Sequence, residues 1–190
     1  AMIADIASTK QPINHILKDM KADEIPVTSI HPMFDSDVKT LNGRNIIIAS
    51  LGVDEADQRV KALFENTAAT ITTMPIDDHD DTITTTLVLP HIISLAFGSL
   101  LHQTQHDQDD FNSIAGTTFL KQLEATKEVF EENPTVYHAI QHHTDHDVFN
   151  ELIDVLAQIK QVGQQENPVH LETMMNEIEP SLTSSDKKKS

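Results

Sequence analysis

The chain has 190 residues, 38% of them hydrophobic, which is enough for one domain of ordinary size plus a fragment. Thirty acidic side chains against thirteen basic ones give a net charge of −17. This charge argues against a nucleic-acid partner, because neutralising phosphates requires clustered Lys and Arg. The absence of cysteine excludes disulfides and thiolate zinc sites.

The first 75 residues alternate short apolar runs with amphipathic stretches. The pattern predicts strands at residues 2–6, 27–30, 45–49 and 70–73, with helices at residues 11–22 and 54–66. Ser8 or Thr9 would cap the first helix. Strands that alternate with helices imply an α/β layer.

The pattern changes after Pro75 and is helical almost to the end of the chain. Residues 87–97 are apolar on nearly every face, as in a helix buried on most of its surface, and Pro90 should kink it or start a new turn. Predicted helices span residues 82–103, 117–132, 134–142, 147–162 and 168–179, with a polar loop at 105–110. The predicted domains are residues 1–75 (α/β), residues 76–180 (helical) and a disordered tail at residues 181–190.

No membrane or export segment is recognisable in the sequence. No uninterrupted apolar run approaches the ~18 to 20 residues of a membrane helix, and no basic region followed by an apolar stretch marks a signal peptide. We therefore expect a soluble cytoplasmic protein with no membrane or nucleic-acid partner.

Short motifs carry the functional signal. They are Asp5-Ile-Ala-Ser8-Thr-Lys10, Ser29-Ile-His31-Pro32-Met33-Phe34, Leu87-Val-Leu89-Pro90-His91, and Asn133-Pro134 followed by Tyr137-His-Ala-Ile-Gln141. In this order they resemble the prephenate dehydrogenase family, which converts prephenate to 4-hydroxyphenylpyruvate with NAD in tyrosine biosynthesis. The resemblance implies the C-terminal part of a Rossmann-like nucleotide-binding domain followed by an all-α helical dimerisation domain.

His31 is the candidate catalytic residue. It stands where a predicted strand runs into Pro32, and strand ends are where open α/β sheets present ligands. The resemblance implies that His31 hydrogen-bonds the ring hydroxyl of prephenate and helps to remove its proton, which suits an imidazole pKa near ~6.5. Asp35 replaces the glycine of the family motif, and a carboxylate there would raise the pKa of His31.

Ser8 matches the serine of the family's D-x-x-S-x-K signature. The resemblance implies that Ser8 orients the catalytic histidine and the substrate hydroxyl. The spacing alone favours a helix N-cap, and the two roles are compatible. Lys10 belongs to the same signature and is interpreted as a solvated helix residue without a chemical role.

Further positions bear on substrate binding. His91 matches the last histidine of the family's S-H-L-P-H pattern, which lines the prephenate pocket, although a lone histidine in an apolar helix is also typical of a core residue. The segment Asp78-His79-Asp80 resembles the family's E-H-D and is interpreted as a structural helix start. Leu120 stands where the family typically has an arginine that holds the ring carboxylate, and Lys121 points roughly 100° away on a helix.

The cofactor half of the expected enzyme is not recognisable. The five glycines include no G-x-G pair, so the dinucleotide fingerprint is absent and the cofactor-binding residues are unknown. We expect a homodimeric prephenate dehydrogenase-like oxidoreductase that acts on prephenate or arogenate with NAD or NADP, incomplete and inactive as the 190-residue chain. The alternative is a non-catalytic helical dimerisation or regulatory module.

A histidine cluster raises a third hypothesis, metal binding. His138, His142 and His146 recur every four residues, with His143, Asp145 and Asp147 beside them. Two imidazoles at this spacing can bind zinc, nickel or copper, but a catalytic site needs a third ligand and groups that orient it. Thr144-Asp145 indicates a helix break, and the segment is equally typical of a solvated loop on an acidic surface. No metal site is therefore predicted.

Overall fold

The computed structural model describes residues 1–34, 37–104, 111, 113–144 and 147–183. The chain packs as two compact units, Ala1–Thr144 and Asp145–Ser190. The domain boundary predicted at residues 75/76 marks a change of secondary structure inside the first unit and stays a prediction.

The order of elements is that of a small α/β layer followed by helices, as predicted. The first unit contains β1 (Ile3–Asp5), α1 (Asn14–Ala22), β2 (Val27–Pro32), β3 (Asn45–Ser50), α2 (Asp54–Leu63), β4 (Thr70–Pro75), α3 (Ile76–Ile83), a π-helical turn (Thr84–Val88), α4 (Leu89–Gln103), α5 (Thr117–Glu131) and α6 (Pro134–His142). The second unit contains α7 (Asp147–Gly163) and α8 (Val169–Thr183).

The four strands form one mixed sheet in the order β1-β2-β3-β4. The two faces of the sheet bury separate apolar clusters: Leu17 of α1 packs against Val27 and Ala49, whereas Val60 of α2 packs with Ile30 and Ile48. Successive side chains of a strand point to opposite faces, which explains why neighbouring residues serve different clusters. β2 is parallel to β1 and antiparallel to β3, so β1 and β2 end at the same edge of the sheet.

Helix α1 begins three residues later than predicted. Ile13 occupies its N-cap position without a side-chain hydrogen bond, so the prediction that Ser8 or Thr9 caps this helix is wrong. A turn precedes the helix, in which the carbonyl of Lys10 accepts the N–H groups of Ile13 and Asn14. The Lys10 side chain is buried at this turn, where it donates to Asp5 and to the carbonyl of Ile30.

Residues Ile76–Gln103 form one helical run that widens into the π-helical turn just before Pro90. A proline lacks an N–H group and clashes with the carbonyl four residues back, and a π turn relieves that conflict, which agrees with the predicted disturbance. The prediction that the helix over residues 87–97 is buried on nearly every face is wrong for a single copy of the chain. In α4 the buried side chains are those of His91, Ile92 and Ser94, while Ile93 and Leu100 are exposed.

The same run is long and apolar enough to cross a membrane. It has 28 residues and contains an 18-residue window with a mean hydropathy of 1.6, although a core helix of a soluble protein meets the same criteria. Its buried side chains include Ile83, Val88 and His79, and α3 contacts β3 and β4. Only 28% of the apolar window is buried within this chain.

The two helices of the second unit contact each other but bury no side chain. Helix α8 continues to Thr183, so residues 181–183 are helical and not part of a disordered tail. The remainder of the predicted tail and the predicted loop at residues 105–110 lie outside the described residues.

Candidate functional site

His31 lies at the carboxyl end of β2 in contact with a second histidine. Its side chain is 3% exposed, and its Nδ1 atom lies 3.1 Å from Nε2 of His79. The ring centroids are 5.2 Å apart. His79 is fully buried in the first turns of α3. The contact therefore joins the end of the α/β layer to the start of the helical run.

Asp80 extends this contact on the far side of His79. Its Oδ1 atom lies 2.6 Å from Nδ1 of His79, and its carboxylate accepts the backbone N–H groups of Lys10, at 2.9 Å, and Gln11, at 2.7 Å. Burial alone would raise the pKa of Asp80, but these hydrogen bonds outweigh burial and lower the pKa. Asp80 is therefore an ionised acceptor at neutral pH.

Lys10 is buried beneath the same site. Its side chain is 1% exposed and donates to Oδ2 of Asp5 at 3.0 Å, to the carbonyl of Ile30 at 2.9 Å, and to the carbonyl of Ala7. Ser29 donates to the same Asp5 oxygen at 2.8 Å. Burial lowers the pKa of Lys10, although the ion pair with Asp5 opposes that effect. The interpretation of Lys10 as a solvated residue is wrong, because it ties the loop after β1 to β2.

The pKa of His31 is lowered to about 4. Burial disfavours the charged imidazolium, and repulsion from a protonated His79 and from Lys10 adds to this effect, which outweighs the attraction of the nearby carboxylates. Asp35, the carboxylate expected to raise this pKa, lies outside the described residues, so its contribution stays a prediction. His31 is neutral at neutral pH, so its imidazole can accept a proton.

Ser8 lies half-buried in the loop between β1 and α1. Asp5 of β1 pairs with Ser29 of β2, so this loop and His31 leave the sheet at the same edge. No hydrogen bond joins Ser8 to His31 among the residues that the structure describes. The role of Ser8 in orienting the histidine stays a prediction.

His91 lies apart from the His31 contacts, roughly 18 Å from His79 along the same helical run. It is buried edge-on against Tyr137, with ring centroids 4.0 Å apart. Burial lowers its pKa to about 4, and its Nδ1 atom has no hydrogen-bond partner within the described part of the chain. An unpartnered buried nitrogen is costly, which is consistent with a ligand contact, but the predicted role in substrate binding is untested.

Leu120, at the position of the family's arginine, is 41% exposed on α5. It lines a shallow groove with Leu123, Glu124, Lys127, Glu128 and Glu131. Three glutamates against one lysine would repel a carboxylate. This groove does not replace the missing arginine clamp.

A second groove lies where β3 and β4 end, at the edge of the sheet opposite His31. Its lysines are engaged, since Lys18 pairs with Asp77 at 2.6 Å and Lys21 donates to the carbonyl of Leu51. Gly52 has a positive φ of 74°, but a Cβ atom there would meet nothing closer than 3.5 Å. These residues do not form the close backbone cradle that a dinucleotide pyrophosphate requires.

The histidines near the end of the first unit stack on one another. The rings of His138 and His142 are nearly parallel with centroids 5.9 Å apart, and His142 meets His143 edge-on. His146 and Asp145 lie outside the described residues. Among the residues that are described, no group of three or more His, Cys, Asp or Glu side chains could hold a metal ion.

The site thus includes the His79-Asp80 pair, which was predicted to be structural, and Lys10, which was predicted to be solvated. The local pattern around each of them is that of an ordinary helix start or surface lysine. The signal that could have identified them is the family resemblance itself, because both lie in matched motifs. The burial of these side chains becomes evident only in the tertiary structure, where β2, the loop after β1 and α3 pack together.

Comparison with known proteins gives a family and a fold. The sequence profile of the prephenate dehydrogenase dimerization domain matches residues 75–177. The structure is similar to that of Aquifex aeolicus prephenate dehydrogenase in complex with hydroxyphenyl propionate and NAD+, with 15% identity, a TM-score of 0.64, and coverage of 96% of this chain and 64% of that one. It is also similar to Synechocystis arogenate dehydrogenase, with 17% identity, a TM-score of 0.63, and coverage of 96% and 69%. No curated protein sequence matches.

Proposed function

Because the chain belongs to the prephenate dehydrogenase family, whose dimerization domain matches more than half of it, we propose that it serves the oxidation of prephenate or arogenate with NAD or NADP. The resemblance found in the motifs is thereby confirmed at the level of the family. The chain spans about two thirds of the length of the two similar enzymes. One of them was solved with hydroxyphenyl propionate and NAD+, which supports an aromatic substrate and a nicotinamide cofactor.

The placement of His31 carries this proposal. A neutral, buried imidazole at a strand end can accept the proton of a substrate hydroxyl. Its Nδ1 atom is engaged by His79, which leaves Nε2 for the substrate. Ser8 would orient the hydroxyl, and His91 would contribute to substrate binding. The nicotinamide cofactor, when bound, supplies the hydride acceptor.

The proposal includes a soluble homodimer in the cytoplasm that binds neither nucleic acid nor membrane. The helical part exposes apolar side chains on α4, α7 and α8, more than a monomer usually leaves in water. A second copy of the chain would cover them. The charge of −17 supports solubility and opposes binding to phosphates.

The test is an assay of NADH or NADPH formation with the full gene product, with prephenate and arogenate as substrates. We expect oxidation of at least one of them. His31→Asn should lower kcat about a hundredfold or more with little change in KM, because a general base acts mainly in the transition state. His91→Asn should raise KM instead, and the exposed His102→Asn is the matched control. Failure to oxidise either substrate contradicts the proposal.

A non-catalytic dimerisation module is the second candidate. Leu120 and its acidic groove favour it, since they offer no clamp for the ring carboxylate. Calorimetry with prephenate separates the two functions. A full gene product that dimerises but neither binds nor oxidises prephenate or arogenate would be such a module.

A further inference from the structure

His31, His79 and Asp80 form a continuous path of hydrogen-bonding atoms. The path runs from Nδ1 of His31 to Nε2 of His79 over 3.1 Å, and from Nδ1 of His79 to Asp80 over 2.6 Å. It starts at the candidate base and ends at a carboxylate. The protons along the path can be placed from the carboxylate end.

Asp80 determines the position of the first proton. An ionised carboxylate has no proton to donate, so Nδ1 of His79 must be the donor. A neutral His79 then carries a lone pair on Nε2 and accepts the Nδ1 proton of His31. A neutral His31 is left with its lone pair on Nε2, which has no hydrogen-bond partner among the described residues.

We propose that His79 and Asp80 are positioning residues that hold His31 in its Nδ1–H tautomer and receive the positive charge when Nε2 of His31 takes up a proton. The substrate in this step rests on the proposed function. The assignment of the tautomer does not, because it follows from the three side chains and from a His79 that is neutral at rest.

The proton transfers balance as follows. The O–H bond of the substrate hydroxyl breaks and an N–H bond forms at Nε2 of His31. The Nδ1–H bond of His31 breaks, and its proton passes to Nε2 of His79. His79 becomes an imidazolium paired with the Asp80 carboxylate, while His31 returns to neutral.

The transfer to His79 explains how a deeply buried histidine can act as a base. Burial opposes a charge on His31, and so do the positive charges of Lys10 and of a protonated His79, while Asp80 and Asp5 attract it. A charge that stays on His31 would face Lys10, and among the described residues no carboxylate contacts the His31 ring directly. A charge that moves to His79 lies against Asp80 at ion-pair distance.

An alternative placement of the protons would give His31 the other tautomer. If His79 held protons on both nitrogens at rest, its Nε2–H would donate to Nδ1 of His31. His31 would then carry its proton on Nε2 and could donate to a substrate but not accept from it. The tautomer of His31 therefore decides between the two arrangements.

Nitrogen-15 NMR of the histidine rings in the 190-residue chain at neutral pH measures the tautomer, with the His31 signals assigned by loss in His31→Gln. We expect a protonated Nδ1 and an unprotonated Nε2. His79→Phe removes the acceptor and should shift His31 to the Nε2–H tautomer. His79→Gln should restore Nδ1–H, because its amide oxygen can accept from His31 while its nitrogen donates to Asp80.

His102→Gln, on the exposed end of α4, is the control and should leave the His31 signals unchanged. If His79→Phe does not fold, Asp80→Asn serves instead, and His31 should then become a mixture of tautomers. An Nε2–H tautomer in the wild-type chain overturns the proposal. So does a His31 tautomer that neither substitution alters.

Activity adds a second readout in the full gene product. His79→Phe should lower kcat about a hundredfold with KM little changed, and His79→Gln should fall between it and wild type, because glutamine holds the tautomer but cannot take the charge. A wild-type kcat in His79→Phe overturns the relay. If the wild type oxidises neither substrate, the proposed function fails while the NMR result still decides the tautomer.

Discussion

The ring nitrogens of His31 and His79 lie 3.1 Å apart although 48 positions separate the two residues in the chain. One ends a strand, and the other stands in the first turns of a helix. Both side chains are buried, so the contact couples the α/β layer to the helical run. Such buried titratable groups make stability and catalysis depend on pH.

Acid should unfold the protein before its carboxylates titrate. His31 and His91 have folded-state pKa values of about 4 against 6.5 for an unperturbed histidine, so the unfolded chain binds protons first as the pH falls. The stability they contribute is complete above pH 6.5 and is lost towards pH 4. Each histidine should account for about 2 kcal/mol of loss between pH 7 and pH 5.

Urea unfolding at these two pH values measures the effect. In His91→Gln the pH-dependent loss should shrink by about 2 kcal/mol, because glutamine does not titrate. The exposed His102→Gln should keep the full loss. A free energy of unfolding that is the same at both pH values contradicts the prediction.

The 190-residue chain should bind NAD no more tightly than about 1 mM, because its sequence lacks the paired glycines with which a dinucleotide-binding loop cradles the pyrophosphate. Isothermal titration calorimetry of the isolated chain tests this. Saturable binding at micromolar NAD would show that the groove at the ends of β3 and β4, or another surface, recognises the cofactor.

The exposed apolar face of α7 should form part of a homodimer. Leu156 and Ile159 lie on one face of the helix and are 54% and 45% exposed. Replacing both by glutamate should raise the dimer dissociation constant at least about tenfold, since each buried aliphatic side chain contributes ~1.5 to 3 kcal/mol. Light scattering in high salt, which screens the −17 charge, makes the measurement.

Gln158→Glu adds charge to the same helix away from that face and is the matched control. A chain that stays monomeric at tens of micromolar before any substitution contradicts the dimer. So does a dimer that the double substitution does not weaken.

Gly98 allows the close packing of α4 on α5. A Cβ atom there would lie 2.7 Å from Cε2 of Phe130 and 3.2 Å from Cγ2 of Thr126. Gly98→Ala gains about 1 kcal/mol of helix propensity but overpacks the contact by ~1 to 3 kcal/mol. We expect net destabilisation in the wild type and stabilisation in a Phe130→Ala background, with coupling of at least about 1 kcal/mol.

Urea unfolding of the four proteins in this double-mutant cycle gives the coupling. Gly116→Ala, whose Cβ would meet nothing within 4 Å, should show no coupling to Phe130→Ala. Additive effects of Gly98→Ala and Phe130→Ala would contradict the packing described.

Local signals explain which elements could be predicted. Helix α6 begins at Pro134 and ends at His142, the bounds that were predicted, and the Asn133 side chain accepts the N–H of Thr135. The start of α1 was predicted wrongly, because an inward-turning Lys10 replaces the expected cap. Lys10 is held by hydrogen bonds to Asp5 and to the carbonyl of Ile30. Neither residue belongs to the helix, so the sequence of the helix does not reveal these contacts.

The sequence by itself determined the family, the candidate base His31 and the succession of strands and helices, because motifs, caps and hydrophobic period are local properties. The tertiary structure decided the state of the site. Lys10 and Asp80 are 70 positions apart, and they meet because the loop after β1 and the start of α3 converge on β2. Burial there depends on distant segments, so the neutral His31, the buried Lys10 and the His79-Asp80 contact could not be derived from the residues beside them.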